Sequence, residues 1–154
     1  MFLLPVSIDD IEAISRIETE SFAQPWKRQA IIDELNCPEG CHFAAKDFLP
    51  SQPHAIVLAY VFVRFLSDEM HIMKIAVAPQ WRNRGIGKAL LSAVQMEGKR
   101  RGAATALLEV RHANIAAINL YQKTGFQTIG IRPNYYPQTG ESALVMSKRL
   151  KEES

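Results

Sequence analysis

The stretch Ile75-Ala76-Val77-Ala78-Pro79-Gln80-Trp81-Arg82-Asn83-Arg84-Gly85-Ile86-Gly87-Lys88 decides the fold. Its first residues are apolar and read as the end of a strand. A short polar turn follows, and an amphipathic pattern then runs over residues 86–101. Gly85 and Gly87 carry no Cβ, so the chain there can take positive φ and a ligand can approach the main chain closely. A helix opening at that point presents unpaired N–H groups and a partial positive charge. Arg82, Arg84 and Lys88 add formal charge. Together these features favour a diphosphate seated at the helix start. The spacing Arg82-x-x-Gly85-x-Gly87 fits neither a Walker loop nor the Gly-x-Gly-x-x-Gly dinucleotide fingerprint. On these residues alone, a plain glycine-containing helix start in any α/β protein stays open.

Working outward, residues 55–66 and 70–77 read as an antiparallel hairpin turned by Ser67-Asp68-Glu69. Ile86, Ala89, Leu90, Ala93, Val94 and Glu97 outline one stripe of the following helix, which Gly102 stops. A strand over 105–110 and a helix over 114–124 come next, and Gly125-Phe126 caps that helix. Residues 127–132 and 142–148 are two further strands, with a loop over 134–141. On the N-terminal side, a strand over 2–6 leads to Ser7 as an N-cap. Ile8, Ile11, Ile14 (or Ser15) and Ile17 then carry a helix as far as Phe22. Ala23-Gln24-Pro25-Trp26 breaks it. A second helix covers 27–36 with Ile31, Ile32 and Leu35 inward, a short strand covers 42–46, and 48–53 is a proline-containing loop. The expected order is β-α-α-β-β-β-α-β-α-β-β. It describes an α/β (α+β) protein with a mixed, mostly antiparallel sheet of about seven strands and helices on both faces. One domain over 1–150 and a frayed tail over 151–154 are expected.

At 154 residues the chain can bury a sizeable core. Its net charge of +2 gives little support to nucleic-acid binding, which would show itself as steeply salt-dependent affinity. The basic residues between Arg82 and Arg111 suit a small polyanion, and a solvated helix face explains part of that cluster equally well. No apolar run is long enough to span a bilayer, and the first residues lack the basic flank of a signal peptide. Cytoplasm is therefore the expected compartment. Cys37-x-x-x-Cys41-His42 suggests zinc, but a fourth ligand is missing from the pattern, so no metal is expected and the two cysteines read as reduced loop thiols.

Leu107-Leu108-Glu109-Val110-Arg111 places a carboxylate in an apolar strand. Such a group must be paired, or its pKa must rise, and a raised pKa suits proton abstraction near neutrality. A structural ion pair of Glu109 with Arg111 or Lys74 is the competing reading. Asn114 and Tyr121 are seven residues apart and share one helix face. Asn114 also reads as an N-cap, and Tyr121 as a core aromatic with a satisfied hydroxyl.

The glycine loop resembles the Gln/Arg-x-x-Gly-x-Gly/Ala loop of the GNAT superfamily of N-acetyltransferases. Leu108-Glu109-Val110-Arg111-x-x-Asn114-x-x-Ala117-x-x-Leu120-Tyr121-x-x-x-Gly125-Phe126 resembles the matching segment of the bacterial ribosomal-protein-alanine N-acetyltransferases. So do Asn134-Tyr135-Tyr136-Pro137 with Glu141-x-Ala143-x-x-Met146, Gln24-Pro25-Trp26, and Asp68-Glu69 ahead of Ile75-Ala76-Val77. The likeness spans nearly the whole chain and is poorest over 37–53.

The resemblance implies a GNAT fold in which two neighbouring strands splay apart to admit acetyl-CoA. It implies that Ile75, Ala76 and Val77 present main-chain groups to the acetyl and pantetheine portions. Asn83, Arg84, Gly85, Ile86, Gly87 and Lys88 would cradle the pyrophosphate, with Arg82 first in the motif, and Asn114 would touch the pantetheine arm. Glu109 would be general base and Tyr121 general acid in a direct attack on the thioester.

The implied acceptor is the α-amine of a protein or peptide N-terminus, a ribosomal protein among the candidates. An α-amine is easier to deprotonate than a lysine amine by about 3 kcal/mol at neutral pH, which suits a carboxylate base. Phe22, Trp26, Tyr135 and Tyr136 are candidates for the acceptor groove, with plain packing as their other reading. Ser142 stands where the family's segment is usually acidic. No membrane or direct nucleic-acid role is expected, and the chain would act as a monomer or weak dimer. Acetylation of a small-molecule amine or a lysine side chain is the alternative, followed by a non-catalytic acyl-CoA-binding module.

Overall fold

The computed structural model describes residues 1–151, so the expected tail lies, after Lys151, outside the described residues. The elements are β1 (Phe2–Pro5), α1 (Ile11–Ser21), α2 (Arg28–Leu35), β2 (Phe43–Asp47), β3 (Ile56–Leu66), β4 (Glu69–Val77), α3 (Ile86–Arg100), β5 (Thr105–Arg111), α4 (Ile115–Lys123), β6 (Gln127–Tyr136) and β7 (Glu141–Arg149). Their order is the one the sequence pattern gives. The strands form one seven-stranded sheet in the order β1-β2-β3-β4-β5-β7-β6. Every pairing is antiparallel except β4 with β5.

Two buried clusters lie on opposite faces of the sheet. One joins Ile11, Ile14, Ile17 and Ile31 of α1 and α2 to Tyr60, Phe62 and Ala76. The other joins Ile86, Leu90, Leu91 and Val94 of α3, with Ile118 and Tyr121 of α4, to Val61, Met70, Leu108 and Met146. The spacing of these residues is the helical stripe meeting the alternation of the strands. α3 approaches the sheet closely at Gly98, where a Cβ would come within 2.9 Å of Leu150 and Met70 side-chain atoms.

One irregularity shapes the middle of the sheet. Phe62 pairs with Lys74 but Val63 pairs with Ile72, so Met73 is an extra residue in β4. The bulge inverts the alternation. Before it, Met70 and Ile72 face α3; after it, Ala76 faces α1 and α2 while Ile75 and Val77 pack on the α3 side. The parallel ladder of β4 with β5 ends at the same level, its last pair being Ile72 with Leu108. From there the two strands part.

Several boundaries differ from expectation. Ile8–Asp10 is a 3-10 turn rather than the first turn of α1, and it leaves Ile8 75% exposed instead of on the buried stripe. Ser7 caps this turn through a capping box with Asp10, whose carboxylate also takes buried Lys46 at 2.6 Å. β6 continues through Tyr136 and β7 begins at Glu141, so half of the loop expected over 134–141 is strand. Pro133 and Asn134 signal a turn in the sequence. β6 is an edge strand, where a missing N–H costs little, and a register shift between Arg132 and Tyr136 absorbs Asn134 at φ 53°.

Candidate active site

The site is built where β4 and β5 separate. Ala78 N–H donates to the Leu58 carbonyl of β3 at 2.8 Å. N–H directions alternate along a strand, so the neighbouring Val77 N–H points to the side that β5 has left. The turn after β4 carries Asn83 at φ 62° and Gly85 at φ 80°, two left-handed residues around Arg84. Ala89 N–H is the first to find an acceptor within α3, the Gly85 carbonyl at 3.0 Å. The N–H groups of Ile86, Gly87 and Lys88 open the helix ahead of it, as helix geometry requires. A Cβ on Gly85 would meet nothing within 4 Å, so this main chain borders open space. The concave run of main-chain donors at a helix N-terminus fits a diphosphate.

The basic side chains of the loop are disposed unequally. Lys88 and Asn83 are exposed beside the turn. Arg84 lies over the Trp81 ring, 4.9 Å from its centroid. Arg82 turns the other way, donating to the Val77 carbonyl at 3.0 Å and to Ser21 Oγ at 3.1 Å. Its guanidinium therefore ties the loop to β4 and to the end of α1 instead of facing the cradle. Asn114 is the N-cap of α4, accepting from Ala117 N–H at 3.1 Å.

In β5 the residues Ala106, Leu108 and Val110 are buried toward α3 and α4. Alternation puts Glu109 and Arg111 on the other face, with α1 and α2. The ion pair considered for Glu109 exists but with a different partner. Arg132 of β6 lies 3.3 Å from its carboxylate, whereas Arg111 lies 3.6 Å from Glu141 and 4.1 Å from the Tyr136 ring centroid. Across β5, β7 and β6 the row Arg111–Ala143–Arg132 explains this. Ala143 is small, and both arginines reach over it. Tyr135 also donates to Glu109, and this bond, ahead of burial, pushes the Tyr135 hydroxyl up to about 12. Tyr136 lies close enough for Glu109, Arg111 and Glu141 all to act on its hydroxyl, which burial raises above its ordinary value.

Tyr121 reaches the same place from the other face. It is 7% exposed, with its ring edge-on to Phe126 at 5.9 Å. Burial, and then the neighbouring Tyr136, raise its hydroxyl pKa above the usual tyrosine value. Tyr136 therefore lies near Tyr121 on one side and near Glu109 and Tyr135 on the other. Ser142 alternates with Glu141 and Ala143, so it lies on the opposite face of β7 from Arg111 and Arg132.

Phe22 and Trp26 form a wall on the α1–α2 side. Glu18 of α1, fully buried, holds that wall in place. Its carboxylate accepts from Trp26 N–H at 2.8 Å, from the Tyr60 hydroxyl, and from Lys74 Nζ at 2.6 Å. Lys74 Nζ also lies 4.1 Å from the Phe22 ring centroid and 4.8 Å from that of Trp26. Sequence reasoning passes over Glu18 and Arg132, names Lys74 only as a partner for Glu109, and quotes Glu141 without giving it a role. A glutamate at an inward position of the α1 stripe is a readable signal for Glu18. The other three depend on the bulge and on cross-strand register, which leave no local pattern. The residues Cys37, Cys41 and His42 do not share one site. Cys37 donates to Glu39, Cys41 accepts from Arg101, and His42 bridges the Glu34 carbonyl and Val63 N–H.

The chain is similar to known acetyltransferases. The ribosomal protein bS18-alanine N-acetyltransferase of Escherichia coli K12 is 35% identical over 140 residues, 90% of each chain. Its counterpart from Salmonella typhimurium is 33% identical over 144 residues, covering 92% of this chain and 93% of the relative. The crystal structure of the ribosomal-protein-S18-alanine N-acetyltransferase from Escherichia coli superposes with a TM-score of 0.86 at 30% identity, covering 99% of this chain and 96% of that one. The profile of the acetyltransferase (GNAT) family matches residues 11–126, and the chain belongs to that family.

Proposed function

We propose that the protein transfers the acetyl group of acetyl-CoA to the α-amine of a ribosomal protein, an alanine-first N-terminus of the bS18 kind. The observation that carries this reading is the splay itself. It sets a main-chain cradle for a diphosphate on one side and the paired carboxylate Glu109 on the other. The relatives named for bS18-alanine acetylation supply the acceptor class.

In this reading the turn from Asn83 to Lys88 binds the diphosphate through main-chain N–H groups, with Lys88 and Arg84 adding charge. Acetyl-CoA supplies an activated thioester. Ile75, Ala76 and Val77 line its acetyl end, and Val77 N–H is aimed to stabilise an oxyanion there. Asn114 caps α4 beside the pantetheine path, and Arg82 acts indirectly by fixing the turn. Glu109 takes the proton of the incoming amine, directly or through a water. Arg132 and Tyr135 hold the carboxylate in place for that step. Tyr121 keeps its proton at neutral pH and gives it to the departing thiolate. Phe22 and Trp26 on one side and Tyr135 and Tyr136 on the other bound the acceptor groove. No metal takes part, no acyl-enzyme forms, and the chain works in the cytoplasm as a monomer or weak dimer.

The test is thiol release from acetyl-CoA with alanine-first peptides, each offered with a free and a blocked α-amine and each containing one lysine. Turnover restricted to the free α-amine is the expected result. Equal turnover of the blocked peptides would assign the activity to lysine side chains, and turnover of small amines alone would remove the peptide acceptor.

A further inference from the structure

Lys74 has no part in the proton transfers above, yet its side chain fills a defined space. The bulge at Met73 puts it there. Without the extra residue, Lys74 would point with Ile72 into the core under α3. The last pair of the β4–β5 ladder is Ile72 with Leu108. Past that pair, Glu109 on β5 and, beyond the bulge, Lys74 on β4 lie on the α1–α2 face, one on each side of the opening splay. The Lys74 stem ends in an ammonium 2.6 Å from the Glu18 carboxylate, 4.1 Å from the Phe22 ring centroid and 4.8 Å from that of Trp26. Glu18 is fully buried and closes the inner end of this recess, while Phe22 and Trp26 are partly exposed and form its sides. Two aromatic rings and a carboxylate make a receptor for a long side chain with a cationic tip. The protein fills it with its own, and the Lys74 side chain is only 12% exposed.

We propose that Lys74 is a specificity-determining residue of the acetyl transfer: it plugs the recess between Phe22 and Trp26 and so restricts the first residue of the acceptor to a small one. With the α-amine at Glu109, the Cβ of that first residue is two bonds from the reacting nitrogen, and the gap beside it leads to Lys74. A methyl group fits in front of the plug. A leucine side chain meets it. Lys74 does not swing aside to make room, because that would leave the Glu18 carboxylate buried without its ionic partner. The inference rests on the reading of the chain as an Nα-acetyltransferase.

The test compares kcat/KM for peptides that differ only in a first residue of Ala, Val, Leu or Lys. The wild-type protein is expected to favour Ala over Leu by about tenfold or more, with Val between them. The double variant Glu18→Gln/Lys74→Ala removes both charges and empties the recess. It is expected to bring the Ala-to-Leu ratio within about threefold by raising turnover of the leucine-first peptide. Lys74→Met keeps an unbranched stem in the recess and should keep the wild-type ranking. Lys74→Ala alone leaves Glu18 charged, so it should gain turnover of the lysine-first peptide, whose ammonium replaces the one removed. A gain with a larger acceptor is a readout that a merely structural role of Lys74 does not produce. Equal wild-type turnover of alanine-first and leucine-first peptides, or the wild-type ranking in either folded emptied variant, would overturn the proposal. Blocked-amine controls keep the two readings apart. Turnover of blocked peptides sinks the parent reading, whereas turnover confined to free α-amines without dependence on first-residue size sinks this inference alone.

Discussion

At the scale of single residues, Tyr136 lies near both Glu109 and Tyr121, which come from opposite faces of the sheet. The carboxylate is half-buried, paired with Arg132 and bonded by Tyr135, an arrangement that orients it. The Tyr121 hydroxyl is buried and titrates above the ordinary tyrosine value, so it stays protonated across the neutral range. Tyr121→Phe is therefore expected to lower kcat by about a hundredfold or more with little change in acetyl-CoA affinity. The wild-type pH–rate profile should show no loss assignable to Tyr121 below its unperturbed value of 10.0, because its folded pKa is raised. Steady-state kinetics across pH, with both proteins side by side, check this. Both residues stand out in the sequence only through the resemblance of the segment from Leu108 to Phe126 to the acetyltransferase family. Arg132 does not, because its pairing with Glu109 depends on register across three strands.

At the scale of elements, the start of α3 and the Glu18 network each carry an expectation. Gly85 holds φ 80° at the helix entry, a conformation that costs a residue with Cβ about 1–2 kcal/mol. Gly85→Ala should lose roughly that much stability in urea unfolding, and Gly85→Asn less, since asparagine tolerates the left-handed region. Glu18 joins α1, the turn at Trp26, β3 and β4 through one buried carboxylate. Removing it in Glu18→Ala strands the Lys74 ammonium and is expected to cost about 3–5 kcal/mol. Glu18→Gln, which can still accept from Trp26 N–H, should cost less. Thermal melts of the two variants order these effects. The glycine turn and the helix after it could be read from the residues, while a phosphate-binding role for the turn came only with the family resemblance. The extension of β6 through Tyr136 could not, because Pro133 and Asn134 carry turn chemistry that an edge strand tolerates.

At the scale of the whole molecule, the element order followed from periodicity and turn residues, since each helix buries a stripe and each strand alternates. What stayed hidden is the bulge at Met73, which lies where the β4–β5 ladder ends and turns Lys74 toward Phe22 and Trp26. One extra residue leaves no mark on a hydrophobic pattern. Stability should also respond to pH through His42, buried between the Glu34 carbonyl and Val63 N–H. Burial lowers its pKa from 6.5, so the folded state resists a proton that the unfolded chain accepts. The stabilising contribution is full above about pH 6.5 and declines as pH falls below it, by at most about 1.4 kcal/mol per unit. Urea unfolding between pH 7.5 and 5 should show this slope, and His42→Gln should lack its share. The assay that bears most directly on the catalytic account is CoA release with an alanine-first peptide by wild type and Glu109→Gln, with CoA affinity measured on the same samples. The expected result is a rate at least about a hundredfold lower at unchanged affinity; an unchanged rate would remove Glu109 as the base.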